Sequence, residues 1–253
     1  MTISLPQELH RNLLDASPAR LSFTRKAYQM LPRLNCPRIL DVGCGRGGPT
    51  LELARLSGGE VIGLDIDQAG LDELDAAAEG AGMADRVRAV NGSLLAMDFP
   101  AESFDIVWSE GSIQFIGFER GLAEWRHFIR PRGFLVVHAA TWLRPDPPAA
   151  IVRSWDCGRQ ESRTAAEYIA QIPKGGYDLV GHFSLPEDFW WLDYYLPLQR
   201  RVLELREEYA GDQEAQRALD RQQHEIDEYR DHIEWAGSAY YLMQKRGTIA
   251  ADV

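Results

Sequence analysis

The sequence predicts an α/β fold built on a doubly wound, mostly parallel sheet. Three observations carry that expectation. Short apolar runs alternate with helical ones between residues 36 and 141. Glycines crowd the first passage from strand to helix. The 253 residues suit one large domain, or one domain with a cap.

The elements follow in order. Ser17-Pro18 reads as an N-cap with proline at the first helical position, and a helix runs on to about Leu34. Pro37 ends it. Arg38 to Val42 is a short buried strand, followed at once by Gly43, Gly45, Gly47 and Gly48. Pro49 to Leu56 is helical and closes at Gly58-Gly59. Val61 to Leu64 is the second strand, and Asp67 caps a helix through about Ala78. Arg86 to Val90 and Phe104 to Trp108 are the third and fourth strands. Gly117 to Ile129 is a helix, with Phe118, Leu122 and Trp125 at three- and four-residue spacing. Pro131-Arg132-Gly133 is a turn, and Phe134 to Val137 is the fifth strand. Strands alternating with helices imply right-handed crossovers and helices on both faces.

After Thr141 the rhythm changes. Arg144 to Pro148 is a rigid loop, and Tyr177 to Leu185 has strand character. Glu187 to about Trp235 is charged and helical, broken at Gly211-Asp212. Ala239 to Gln244 returns to strand. A helical segment between two strands implies a cap inserted near the C-terminus. The expected division is a helical segment over 1–35, a ligand-binding core over 36–141, and a substrate and cap region over 142–253 with its insertion at about 187–235.

Composition narrows the function. Lys plus Arg is 27 against 38 for Asp plus Glu, a formal charge of −11, so no basic footprint for nucleic acid is present. That charge also opposes an anionic lipid surface. No apolar run approaches the length needed to span a bilayer, and Met1 to Leu14 lacks a signal-peptide core. The cytoplasm is the expected location. Cys36, Cys44 and Cys157 form no C-x-x-C pair, which argues against a disulfide framework or a zinc site, and no metal is expected.

Asp41-Val-Gly43-Cys-Gly45-Arg-Gly47-Gly48 leaves a strand and enters a helix, where free amides and the helix dipole favour an anionic group. Gly43-x-Gly45-x-x-Gly48 satisfies the dinucleotide pattern, with Asp65 at the distance of a ribose-binding acid. The same residues satisfy D-x-G-x-G-x-G. Asp41 discriminates, because a dinucleotide strand normally buries an apolar residue there. Its carboxylate either orders the loop or meets a ligand ammonium.

Four blocks in this order resemble the class I S-adenosylmethionine (SAM) methyltransferases: Ile39 to Gly45, Val61 to Asp65, Phe104 to Ser109, and Arg130 to Phe134. Trp108-Ser-Glu-Gly111 with Ile116 to Gly121 and Glu124-Trp125 is similar to a bacterial subgroup that acts on small molecules. Ser17-Pro18, Thr24 to Ala27, Ala84 to Val87, Trp142 and Gln244 to Arg246 extend the likeness over nearly the whole chain. The resemblance implies a Rossmann-like, seven-stranded sheet whose last strand is antiparallel. It implies SAM as cofactor, S-adenosyl-L-homocysteine as product, and a small-molecule acceptor. Gly43 and Gly45 would flank the methionine part, Asp65 would take the ribose hydroxyls, and Ile66 would pack on the adenine. Ser93 stands where the family often has an adenine-binding Asp, and the Leu94 amide would meet the ring nitrogen.

Methyl transfer from a sulfonium needs alignment first and a base only if the acceptor carries a proton. Glu110 follows the fourth strand and either meets the SAM ammonium, acts as a base, or caps the loop. Gln114 sits where relatives often carry a substrate-facing His, and an amide is no base. His138 is a second candidate base or a core residue, with His182 behind it. Trp142, Trp155, Trp191 and Tyr195 are expected to wall the acceptor pocket, alternatively to pack the cap. Trp190 and Trp191 cannot share one helix face. The aromatic cap and the acidic charge favour an uncharged or cationic acceptor. A monomer or homodimer is expected. Rival expectations are an NAD-dependent oxidoreductase on the same loop and a non-catalytic SAM-binding protein.

Overall fold

The structure is a computed structural model, and it describes residues 5–10, 13, 18–155 and 162–247. Ser17 and Cys157 lie outside the described residues.

Seven strands form the continuous sheet: β1 (Ile39–Val42), β2 (Val61–Asp65), β3 (Val87–Asn91), β4 (Phe104–Glu110), β5 (Ile129–Trp142), β7 (Tyr177–Ser184) and β8 (Ala236–Lys245). Their order is β3-β2-β1-β4-β5-β8-β7, with a two-residue β6 (Arg163–Thr164) beside β5. The pairings β1 with β2, β2 with β3, β1 with β4 and β4 with β5 are parallel. β8 runs antiparallel to both β5 and β7. Successive connections leave β1 and β4 in opposite directions across the sheet. A crevice opens outside their carboxyl ends, where open α/β sheets bind ligands.

The helices are α1 (Leu5–His10), α2 (Pro18–Met30), α3 (Gly48–Ser57), α4 (Gln68–Gly80), α5 (Ile113–Ile116), α6 (Phe118–Trp125), α7 (Ala149–Trp155), α8 (Ala165–Gln171), α9 (Leu196–Glu208) and α10 (Gln213–Asp231). Local chemistry sets several ends. Gly58 closes α3 in the left-handed conformation (φ 63°). The Asp67 carboxylate accepts from the Ala69 amide at the start of α4, and Asp212 does the same for Glu214 and Ala215 at α10.

Two element limits differ from the sequence expectation. α2 stops at Met30, before Leu34, because Pro32 disfavours helical backbone at the residue ahead of it. α6 ends at Trp125 in a tight turn over Arg126–Phe128, and β5 has already begun at Ile129. The turn Pro131-Arg132-Gly133 is an irregularity within that strand, where the β4–β5 register shifts after the Phe104–Ile129 pair.

Alternate side chains of β1 and β2 pack on opposite faces. Leu40, Val42, Ile62 and Leu64 meet Leu122 and Trp125 of α6. Ile39 and Val61 meet Leu53 of α3 and Leu74 of α4. A third cluster lies in the cap, where Trp142, Trp155 and Tyr195 pack with Leu198, Ile226 and Tyr229. α1 joins that cluster through Leu9, and its His10 lies against Tyr194. The α9–α10 hairpin falls between β7 and β8 in the chain. No helix of the described residues is long and apolar enough to cross a membrane.

Candidate active site

The glycine loop after β1 is shaped by backbone. Gly43 (φ 72°), Gly45 (φ 55°) and Gly47 (φ 80°) all hold left-handed conformations that only glycine adopts freely. At Gly43 space is also lacking: a Cβ there would stand 2.4 Å from Ser112 Cβ. Ser112 is fixed in turn, since its hydroxyl donates to the Val42 carbonyl at 2.5 Å and pairs with Ser109 Oγ at 2.7 Å. The loops after β1 and β4 are therefore one packed unit.

Asp65, at the end of β2, organises the same loop. One carboxylate oxygen accepts from the Gly45 amide at 2.8 Å and the other from the Asp67 amide at 2.9 Å. Each oxygen keeps a lone pair for a further donor. A cleft of about 500 Å³ opens here, lined by Gly43, Asp65, Ile66, Ser93, Leu94 and Glu110 among others. Its apolar rim is exposed: Ile66 is 73% accessible, Phe115 56% and Leu95 49%. Bare apolar side chains beside a carboxylate fit a planar base and its sugar.

Asp41 and Gly45 stand behind the lining of this cleft. Asp41 is 2% exposed and accepts from Thr50 Oγ1 at 2.7 Å. Burial pushes its carboxyl up to about 7, opposed by the Thr50 hydrogen bond, with the nearby Glu110 and Asp65 charges adding to the rise. Of the three carboxyl groups, Asp65 and Glu110 lie on the lining of the cleft itself.

A second cavity, of about 220 Å³, lies on the cap side. It shares Glu110 and Gly111 with the first cleft. Glu110 is buried and bonded at both oxygens: Oε1 accepts from Thr24 Oγ1 at 2.8 Å and Trp108 Nε1 at 2.9 Å, and Oε2 pairs with Arg20 Nε at 3.3 Å. Burial and the adjoining Glu110 charge hold the Tyr240 phenol well above its ordinary range. Gln114 is also buried. With its amide oriented to satisfy both neighbours, it donates to the Gly111 carbonyl and accepts from the Ala140 amide.

His138 pairs with Glu110 across the β4–β5 ladder and lines the second cavity. Burial, with the Arg20 charge, lowers its pKa to about 3. It lies parallel to Tyr240 at 4.7 Å and to Trp190 at 6.2 Å. Trp155 and Tyr195 line the same cavity, whereas Trp142 and Trp191 line neither one. Trp142 is buried in the cap cluster against Trp155. Trp191 opens a wide π-type turn over Trp191–Tyr195, and the adjacent Trp190 takes the lining position with Tyr194 and Tyr195. Such turns often occur at functional sites because they re-aim side chains. His182 stands on the outer strand β7, stacked on Tyr241, and lines neither cavity.

Sequence reasoning missed Arg20, Phe189 and Glu225 on the second cavity, and Ser112 and Phe115 on the first. The available signal for α2 was that Arg20 and Thr24 stand four residues apart, on one helical face. Both side chains meet Glu110.

An open α/β sheet thus carries a glycine-lined crevice that meets an aromatic cavity at Glu110 and Gly111. Residues 39–133 match the sequence family described as Methyltransferase domain. The whole chain has the class I methyltransferase fold. It superposes on a SAM-dependent methyltransferase from Geobacter sulfurreducens, solved with S-adenosyl-L-homocysteine, with a TM-score of 0.80 at 20% identity, covering 97% of this chain and 99% of that one. The counterpart from Thiobacillus denitrificans, solved with the same ligand, gives 0.80 at 19% identity over 97% and 100%. A sterol 24-C-methyltransferase from Gibberella zeae is 34% identical over 110 residues, which is 43% of this chain and 28% of that protein. This chain thus matches well under half the length of that relative.

Proposed function

We propose that this protein transfers a methyl group from SAM to a small-molecule acceptor. The observation that carries this is the meeting of two hollows at Glu110 and Gly111. One is a nucleoside-shaped cleft and the other an aromatic cavity. When bound, SAM supplies an electrophilic methyl on a sulfonium. The S–CH3 bond breaks as the acceptor–CH3 bond forms, and the electron pair stays on sulfur as a neutral thioether. A proton carried by the acceptor atom leaves to solvent.

The chain's own residues bind and align. Asp65 holds the ribose hydroxyls, Ile66 packs on the adenine, and Ser93 with the Leu94 amide meets its edge. Gly43 gives close approach to the methionine part, with Gly45 and Asp41 setting the loop from behind. Glu110 faces the ammonium and is held in place by Arg20, Thr24 and Trp108. Hydrogen-bonded at both oxygens, it serves as a positioning group. Gln114 ties Gly111 to β5 and has no base chemistry. A His138 whose pKa lies near 3 is a poor base at neutral pH. The acceptor is therefore one whose nucleophilic atom is available without a strong protein base. Trp155, Trp190 and Tyr195 wall it.

The same reading divides the chain at 1–35, 36–141 and 142–253. It places a monomer or homodimer in the cytoplasm with no nucleic-acid partner, in line with the charge of −11. Thermal unfolding with S-adenosyl-L-homocysteine and with NAD tests it. Saturation at about a hundred times the dissociation constant adds about 2.7 kcal/mol, roughly 5–10 °C at this size. The shift is expected with the adenosyl ligand. A shift with NAD alone overturns the proposal.

A further inference from the structure

The two hollows rest on different strands. Gly43, after β1, lines the first cleft, and Gly111, after β4, lines both. The spacing of these two segments decides whether donor and acceptor line up. A misplacement of about 1 Å can cost about a hundredfold in rate. What ties β1 to β4 at this point therefore matters to the reaction.

The strand ladder does not reach it. Backbone pairing of β1 with β4 ends at Asp41–Trp108, one residue before Val42. Beyond that point the loop's amides turn the other way. Gly43 and Cys44 both donate to the Leu64 carbonyl of β2, at 2.8 and 3.1 Å, and Gly45 donates to Asp65. On the β4 side a side chain takes over. The Ser112 hydroxyl donates to the Val42 carbonyl at 2.5 Å. A serine hydroxyl carries one proton, so the 2.7 Å contact between the two serines has a fixed sense: Ser109 donates and Ser112 accepts. Both serines are buried.

Two further features single out Ser112. It occupies the N-cap position of α5, where a serine ordinarily accepts from an amide of the first turn, yet it makes no such bond. Its hydroxyl is turned to β1 instead. Gly43 also lies against the Ser112 Cβ, with no room for a side chain between them. The hydrogen bond draws the loop in, and the contact stops it.

We infer, building on the methyl-transfer reading, that Ser112 is a positioning residue. It fixes how far the glycine loop stands from the Glu110–Gly111 seam, so that the methionine part of SAM enters at one set distance from the aromatic cavity. Ser109 holds the Ser112 hydroxyl in the orientation that does this.

Ser112→Ala keeps the Cβ stop and removes the pull. Two ligands read the result by titration calorimetry. S-adenosyl-L-homocysteine carries the amino-acid part, and methylthioadenosine has the same nucleoside and a thioether without it. Ser112→Ala is expected to weaken S-adenosyl-L-homocysteine about tenfold and methylthioadenosine by less than about twofold, on the worth of one buried hydrogen bond. Ser109→Ala leaves the Val42 bond in place and is expected to cost S-adenosyl-L-homocysteine about threefold, with the same selectivity. It carries the test where Ser112→Ala does not fold. A general loosening of the fold weakens the two ligands alike. Equal losses for the two ligands, or no loss in a variant that folds, overturns the inference. So does a wild-type protein that binds no methylthioadenosine, since its nucleoside contacts then do not stand apart from the loop. Failure of S-adenosyl-L-homocysteine itself to bind the wild-type protein rejects the methyl-transfer reading instead.

Discussion

The two hollows that meet at Glu110 are built by opposite means. The first cleft is shaped at its floor by backbone, with glycines after β1, an amide-holding Asp65 at the end of β2, and Ser109 and Ser112 at the end of β4. Neighbouring segments of a regular sheet supply it, and each contributes within a few residues of a strand end. The aromatic cavity is made of side chains from α2, the ends of β4 and β5, α7, the π-type turn and α10. A site written in backbone tolerates little change and keeps its shape between relatives. A site walled by side chains keeps its enclosure while its contents vary.

The largest expected effect tests the backbone half. Gly43→Ala puts a methyl group 2.4 Å from Ser112 Cβ at a positive φ. Strain and overpacking each cost about 1–3 kcal/mol. Calorimetry is expected to show at least a hundredfold loss of S-adenosyl-L-homocysteine affinity, with a lower denaturant midpoint. Near-normal binding would break the claim that this backbone approach is required.

Asp65→Ala comes next. It removes the acceptor for two loop amides and the proposed ribose contacts. A loss of about ten- to a hundredfold in cofactor affinity is expected from charged hydrogen bonds of about 1.5–3 kcal/mol. Unchanged affinity would move the ribose elsewhere.

The pH dependence of Asp41 sharpens the comparison. Its carboxyl titrates near 7 in the folded protein, above its ordinary value of 3.8. Between those values the folded state holds a proton that the unfolded state has lost. Stability without ligand therefore falls as pH rises from about 4 to about 7, by up to a few kcal/mol at roughly 1.4 kcal/mol per pKa unit. Asp41→Asn is expected to flatten that slope in urea melts at pH 4.5 and 7.5. A slope that survives the substitution assigns it to other groups.

The smallest effect lies on the side-chain half. Trp190→Phe loses the 2.9 Å bond from Nε1 to Ser238 Oγ but keeps an aromatic wall. Stability is expected to fall by about 1 kcal/mol, with cofactor affinity unchanged within about twofold. A tenfold loss of cofactor affinity would show that the two hollows are not built independently.

The same contrast explains what was legible from the residues alone. The glycine loop, Asp65 and Ile66 sit within one local pattern, so spacing located them. Trp190 and Trp191 are adjacent, and helical periodicity cannot choose between them. The choice falls to a π-type turn that no spacing announces. Trp142 has the composition of a pocket wall, yet packing against Trp155 decides its place. Arg20 reaches Glu110 across ninety positions of sequence, a contact that exists only once α2 lies over the sheet. The helix limits at Met30 and Trp125 turned on local effects, a following proline and an early strand start.

Glu110 has a consequence for the order of events. It is a wall common to both hollows, so a ligand in one alters the field felt in the other. Such coupling is reciprocal: whatever factor the cofactor lends to acceptor affinity, the acceptor returns to the cofactor. On the proposed methyl-transfer reading, the order in which the two ligands arrive leaves that shared factor unchanged.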